Sequence, residues 1–437
     1  MKAYTMALSV ESGAFRAIRS IWIAAMGAGL LISLCSCKDD TEALPELKAQ
    51  TFTSTNLSLT YDGEAMPGKS AKIEYKSGSA SSSRTAEISL YSEFDLSQLS
   101  GMGLSGVVPA PGVIPGTPEL RLTVDLIPSD GCYSFSGAGS TESVDYKFSG
   151  SLHSDLLEIN FTDCSLKSQV FAGKIFAPSP IKKKNVFEYE SLPFHLVWEL
   201  DPTSEVDIPL SDILQAVVTA PVIPVYNNTA YTSVALMFES AVHTIALNPD
   251  GNIPVIYTST VGGAAHLATS CGNMLQYVPS PGGVKLYVNP LSALSQMLVA
   301  LSKPSEDAEF VTKANSSGGA GILEGTDPKL VTAIAKALVA TLEPGLKDGI
   351  YLTVTPTASG AEIYFDTHSS IQFISALMEN LIKEPEVTTA LQAYLGSLDL
   401  PDVNPEELEG LIEKLPGFLE KTTRLEIGLS LVNYQPK

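Results

Sequence analysis

Between residues 57 and 161 apolar and polar side chains alternate one for one, in run after run. Leu57-Ser-Leu-Thr-Tyr61, Ala71-Lys-Ile-Glu-Tyr75, Ala86-Glu-Ile-Ser-Leu-Tyr91 and Leu120-Arg-Leu-Thr-Val-Asp-Leu126 all read this way. Successive side chains of a strand point to opposite faces, so period two gathers the apolar groups on one side. A helix would scatter the same residues around its circumference. Turn formers separate the runs: Asp62-Gly63, the serines of 77–83, and a Gly/Pro loop over 100–118 with Pro109, Pro111, Pro115 and Pro118. Cys132-Tyr-Ser-Phe-Ser136, Tyr146-Lys-Phe-Ser149 and Leu157-Glu-Ile-Asn-Phe161 continue the pattern. Short strands so closely spaced predict an antiparallel β sandwich or barrel over 51–185.

Pro178, Pro180 and Lys182 to Lys184 suggest a boundary over 178–192. Beyond it the periodicity changes. Leu210 to Val218 is a short helix with Ile213, Leu214 and Val217 on one face. Val234 to Phe238 and Thr244 to Leu247 read as strands, with Asp250-Gly251 as a turn. An internal repeat is legible without gaps. Residues 275–290 align on 352–367, with Leu275/Leu352, Pro279/Pro356, Gly283/Gly360 and Tyr287/Tyr364 coinciding. Each copy predicts strand, turn, strand and then helix, giving units over 275–301 and 352–382. Asn289 and Asp366 stand at the strand-to-helix junctions, where a short acceptor side chain satisfies free helical N–H groups. Asp327-Pro328 opens another helix with an apolar stripe at Leu330, Val331, Ile334, Leu338 and Leu342. Helices over 386–396 and 404–415 and a strand from Arg424 to Leu431 close the chain, and 303–326 reads as a loop. The expected class is α+β, with the β region followed by an α+β domain over 193–437.

The N-terminus carries a different signal. Arg16 and Arg19 precede an apolar run from Ile21 to Leu34. A spanning helix needs roughly 20 apolar residues, so this run is short for one. Basic residues, an apolar segment and then small residues follow the order of a secretory signal. Leu34-Cys35-Ser36-Cys37 resembles the bacterial lipobox, with Leu34 three positions before Cys37. That resemblance implies removal of residues 1–36 and lipidation of Cys37. Lys38-Asp39-Asp40 resembles the export tag of surface lipoproteins from Bacteroidetes, which implies display on the outer face of the outer membrane. Residues 37–50 are then a tether. The segment from Tyr133 through Phe161 is similar to the meander of calycin-like lipoproteins from the same bacteria.

Charge narrows the partners. The chain has 437 residues and a formal charge of −21. Residues 1–36 carry Lys2, Arg16, Arg19 and Glu11, so their removal takes the charge to −23. So acidic a surface repels phosphate backbones and argues against nucleic acid as a partner. Cys132, Cys164 and Cys271 remain after processing. Cys132 and Cys164 are a candidate disulfide, and three reduced thiols are an equally open alternative.

Chemical motifs are sparse. No G-x-S-x-G elbow or H-E-x-x-H helix occurs. Ser179-Pro-Ile-Lys182 matches S-x-x-K, but Pro180 follows a Pro-rich stretch and no S-D-N or K-T-G triplet accompanies it. None of the five histidines has a partner at helical ligand spacing. No cofactor or metal site is expected. Tyr226 and Tyr231 flank Asn227-Asn228-Thr229, a loop of rings, amides and hydroxyls suited to a sugar. Tyrosines packing on a core explain the same residues. The sequence therefore leads to a lipid-anchored envelope protein. Its expected role is a non-catalytic binding or interaction module for a glycan, an apolar ligand or an envelope protein. The alternative is an extracytoplasmic hydrolase whose site is not visible as a motif.

Overall fold

The computed structural model describes residues 44–435, except 54, 76–83, 96–105, 186–187, 204–208, 222, 226–229, 260–264, 294–342, 344, 382–384 and 397–409. In chain order the strands begin with β1 (Gln50–Phe52), β2 (Leu57–Tyr61), β3 (Glu64–Ala65), β4 (Lys69–Tyr75), β5 (Thr85–Asp95), β6 (Val107–Pro109) and β7 (Leu120–Asp125). They continue with β8 (Ile127–Ser129), β9 (Cys132–Ser140), β10 (Val144–Leu152), β11 (Leu157–Leu166), β12 (Lys174–Pro178), β13 (Lys182–Lys183), β14 (Tyr189–Ser191) and β15 (Phe194–Leu200). Helix α1 (Leu210–Thr219), β16 (Ile223–Val225), β17 (Ala230–Thr232) and α2 (Val234–Ala241) follow. Then come β18 (Val242–Leu247), β19 (Val255–Ser259), β20 (His266–Thr269), β21 (Leu275–Ser280), β22 (Gly283–Val288), β23 (Ile350–Pro356) and β24 (Gly360–Phe365). Helices α3 (Thr367–Leu381), α4 (Pro385–Gly396) and α5 (Leu411–Glu420) and strand β25 (Thr422–Asn433) complete the chain. The protein is predominantly β-sheet with a minority of helix. No helix among the described residues is long and apolar enough to cross a membrane.

The alternating region builds two sheets. One orders its strands β1-β4-β5-β6, with β7 also pairing β5, and the other runs β3-β2-β11-β10-β9-β8. Their apolar faces enclose one interior. Leu57, Leu59 and Tyr61 meet Ile73, Ile88, Leu90, Leu122, Tyr146, Phe148, Ile159 and Phe161, all buried. Phe161 stands edge-on to Tyr146, with ring centroids 5.4 Å apart. The recurring sequence of ring, polar residue, ring, serine, glycine has a packing reason. Rings point inward, serines outward, and each glycine leaves room for a ring from the next strand. Gly150 is opposite Phe135, and a Cβ there would run into the Phe135 ring. Gly137 stands the same way toward Phe148, and Gly139 toward Tyr146. One pairing departs from the antiparallel expectation: β2 runs parallel to β11, Leu57 opposite Leu157. The long excursion through the other sheet lies between them and makes the parallel return geometrically accessible.

A ten-stranded sheet runs β20-β19-β18-β12-β25-β24-β23-β22-β21, with β15 also on β25. Strand β12, which precedes the boundary expected over 178–192, pairs β18 and β25 in this sheet. Nor is this sheet separate from the first two. Tyr61 donates its phenol proton to the Asp250 carbonyl at 2.6 Å, and Asn273 Nδ2 reaches the Glu64 carbonyl at 2.9 Å. Phe176, Leu247, Tyr277, Val284 and Leu431 join the same apolar interior. A second cluster packs Trp198 and Leu425 against helical Leu210, Ile213, Leu395, Ile412 and Phe418.

The two aligned segments lie side by side as hairpins. Pro279 faces Val284 in one and Pro356 faces Ala361 in the other, the same register, and β22 pairs β23. Each leads into a helix through a capping side chain. Asn289 Oδ1 accepts from Leu291 N and Ser292 N, and Asp366 Oδ1 accepts from Ser369 N at 2.8 Å. The first helix is described only over 290–293. Val234 to Phe238, read from sequence as a strand, belongs instead to α2. Ser233 caps it by accepting from Leu236 N at 3.2 Å. A short apolar run has no periodicity that separates buried strand from helix, so the cap decides.

Candidate functional site

The outward face of β9, β10 and β11 presents the side chains that the alternation leaves over. In register across the strands lie Ser136, Ser149 and Asn160 in one row, and Ser134, Ser151 and Glu158 in the next. Ser134, Ser136, Ser149, Ser151 and Asn160, with Ile127 of β8, line a trough of about 330 Å³ floored by Phe135 and Gly150, and Glu158 stands beside the lining. Thr60 of β2 extends the first row by donating to Asn160 Oδ1 at 2.8 Å. Hydroxyls both donate and accept, and the amide does both from separate atoms, so the lining suits a ligand with many hydroxyls.

At one end of the trough three chemically active side chains meet. Ser151 Oγ donates to Glu158 Oε2 at 2.7 Å and lies 3.1 Å from His153 Nε2. His153 Nε2 is 3.7 Å from the same carboxylate oxygen. A hydrolytic triad places the carboxylate on the imidazole nitrogen remote from the serine. Here both groups approach one nitrogen, and the serine proton is already directed to Glu158. An oxyanion also needs free N–H donors. The amides of β10 face paired strands on both sides, so this sheet surface presents none beside Ser151. The arrangement fits recognition better than acyl transfer.

A second polar assembly lies on the ten-stranded sheet. His195 Nε2 is 2.8 Å from Glu426 and its Nδ1 is 3.3 Å from Glu362. Arg424 binds Glu426 through two nitrogens, at 3.0 and 2.8 Å, and reaches Glu199 at 3.4 Å. Burial lifts the Glu426 carboxyl, but the bonds from Arg424 and His195 outweigh it and hold the group below its usual range. His195 and Tyr364 stand on strands either side of Gly428, and their rings meet over it at 4.5 Å. These charges answer one another across β15, β25 and β24, which makes the assembly a cross-strand tie. A third unusual group is Lys69, 4% exposed. Its Nζ donates to Ser92 Oγ at 3.1 Å and to the Pro111 carbonyl at 2.5 Å. Burial pushes its amine down to about 7.

The residues singled out in the sequence are distributed differently. Cys37, Lys38, Asp39, Asp40, Tyr226, Asn227 and Asn228 lie outside the described residues, as do 303–326 and the helix expected from Asp327. Tyr231 is in β17 opposite Pro224, on a two-stranded hairpin. The candidate disulfide is corrected: Cys132 and Cys164 are both free thiols, as is Cys271. Cys132 stands at the Leu152 end of β10, next to the residue that pairs Leu152, whereas Cys164 stands near the Asp145 end. Roughly 20 Å of strand separates those ends at about 3.3 Å per residue, and a disulfide tolerates a Cα separation of at most about 7 Å. The trough was not anticipated. Its signal was the outward serines of the ring-serine repeat, which sequence alone could not align into rows. Comparison with protein-family models, with curated proteins and with solved structures finds no match to this chain.

Proposed function

We propose that the chain is a lipid-anchored cell-envelope protein whose folded body is a non-catalytic binding module. In this reading a β sandwich carries the site and the ten-stranded sheet with its helices braces it. The serine-lined trough holds a polyhydroxylated ligand such as a glycan. One observation carries the reading: Ser134, Ser136, Ser149, Ser151 and Asn160 converge on a single concave surface. A trough of that volume lies at the lower end of the range for small-ligand sites. Hydroxyl-rich ligands are bound by just such interleaved donors and acceptors. The rival reading, a hydrolase, rests on Ser151 and His153 and lacks the relay geometry and the oxyanion donors.

A panel of immobilised neutral glycans tests the site. The protein is expected to retain a subset, and Asn160→Leu or Ser149→Leu is expected to weaken retention about tenfold, the effect of removing one or two net hydrogen bonds. Retention untouched by both variants, or hydrolysis of the panel, argues against the reading.

The anchor has its own support in Leu34-Cys35-Ser36-Cys37 and Lys38-Asp39-Asp40. Two or more acyl chains hold a protein on a bilayer stably where one does not. The native protein should therefore partition into detergent, and Cys37→Ala should release it into the aqueous phase. Aqueous partitioning of both forms would contradict an acyl anchor.

A further inference from the structure

The geometry points to a charge preference within this trough: a polyhydroxylated ligand bearing a protonated amine, selected by Glu158. This inference rests on the trough being the binding site and adds the class of ligand that it favours.

The lining itself is neutral. Ser134, Ser136, Ser149 and Asn160 bond hydroxyls equally well whatever charge the ligand carries. Discrimination therefore falls to the ionised groups within reach of the lining. Glu158 is one, held against Ser151 at 2.7 Å, with its side chain 35% exposed. His153 stands beside it, 3.1 Å from Ser151 and 3.7 Å from Glu158. A carboxylate has about four acceptor positions, and the Ser151 hydroxyl occupies one. An ammonium group offers three N–H donors and can bridge Glu158 and the Ser151 oxygen.

The opposite end of the same face does not oppose this. Lys147, two residues from Ser149 on the outward side of β10, is paired with Asp163 at 2.8 Å, so its charge is already answered. The protein as a whole adds to the effect. Its formal charge of −21 draws cations toward the surface over a distance of about one Debye length, roughly 8–10 Å at physiological salt. Local contact and overall field thus have the same sign.

The two contributions separate experimentally. Three glycosides of one oligosaccharide that the protein retains would carry an aminoethyl, a hydroxyethyl or a carboxyethyl group. Their affinities would be measured by calorimetry near pH 7.5 at low and high salt. The aminoethyl form should bind about fivefold tighter than the hydroxyethyl form, as expected for one partly exposed charge-assisted contact. The carboxyethyl form should bind more weakly than either. In Glu158→Gln, which keeps the side-chain shape, the amine-to-hydroxyl ratio should fall to about one. High salt should trim the wild-type ratio without abolishing it. A wild-type ratio of one overturns the inference, as does a ratio unchanged in Glu158→Gln, which would assign the preference to the overall field alone. Binding of all three forms unchanged in Asn160→Leu and Ser149→Leu would instead remove the trough as the site, and the charge preference with it.

Discussion

Replacing Gly150 by valine should destabilise the protein by about 3 kcal/mol, the upper range for overpacking a well-filled interior. A Cβ at Gly150 points into the apolar interior, against the Glu158 carbonyl and the Phe135 ring. Phe135 is 3% exposed and hemmed in by the core, so it has nowhere to move. The neighbouring position gives the contrast. Ser149 points outward into the trough, and Ser149→Val adds a β-branched side chain to an exposed position. That change should alter stability by less than about 0.5 kcal/mol. Urea unfolding of the two variants would measure both. Equal effects would mean that the faces of β10 are misassigned, since a one-residue slip exchanges inward and outward side chains.

The second large effect is a dependence of stability on pH set by Lys69. Its amine titrates near 7 in the folded protein against 10.5 for an ordinary lysine. Between those values the unfolded chain binds a proton that the folded one does not, so stability rises with pH. The contribution is fully present above the unfolded value and is lost as pH falls through about 7. From pH 7 to pH 9 the gain should be about 2 kcal/mol. Above that range the buried phenols of Tyr61 and Tyr277, pushed up by desolvation, begin to work in the opposite direction. Lys69→Met removes the titrating group and should flatten the profile between pH 7 and 9, although it leaves the Pro111 carbonyl without its donor. Denaturant midpoints at several pH values decide this. An equally steep profile in the variant would assign the slope to other groups.

Much of the fold could be read from the sequence because local chemistry dictated it. Period two fixed the inward residues of β2, β4, β5 and β7, and the structure buries Leu57, Ile73, Ile88 and Leu122 accordingly. The paired hairpins were visible because Pro279 and Pro356, with Gly283 and Gly360, punctuate the chain at matching places. The capping roles of Asn289 and Asp366 followed from short side chains placed where a strand meets a helix. What escaped was set by tertiary packing. Lys174 to Pro178 carries no mark of which sheet it will join. Val234 to Phe238 is short and apolar, and only the Ser233 cap settles it as helix. The trough escaped for the same reason. Ser151 and Glu158 become neighbours only through the register of β10 on β11, and Ser134 joins them through β9. The cysteines illustrate the reverse error: sharing a β region put Cys132 and Cys164 in adjacent hairpins but at opposite ends of the strands.

Mapping backbone amide shifts of the deuterated protein during titration with a retained glycan tests the central claim most directly. Shifts should concentrate at Ser134, Ser136, Ser149, Ser151 and Asn160, with the His195 and Lys69 regions silent. A footprint on the ten-stranded sheet, or on the hairpin of Tyr231, with the trough unperturbed, would contradict it.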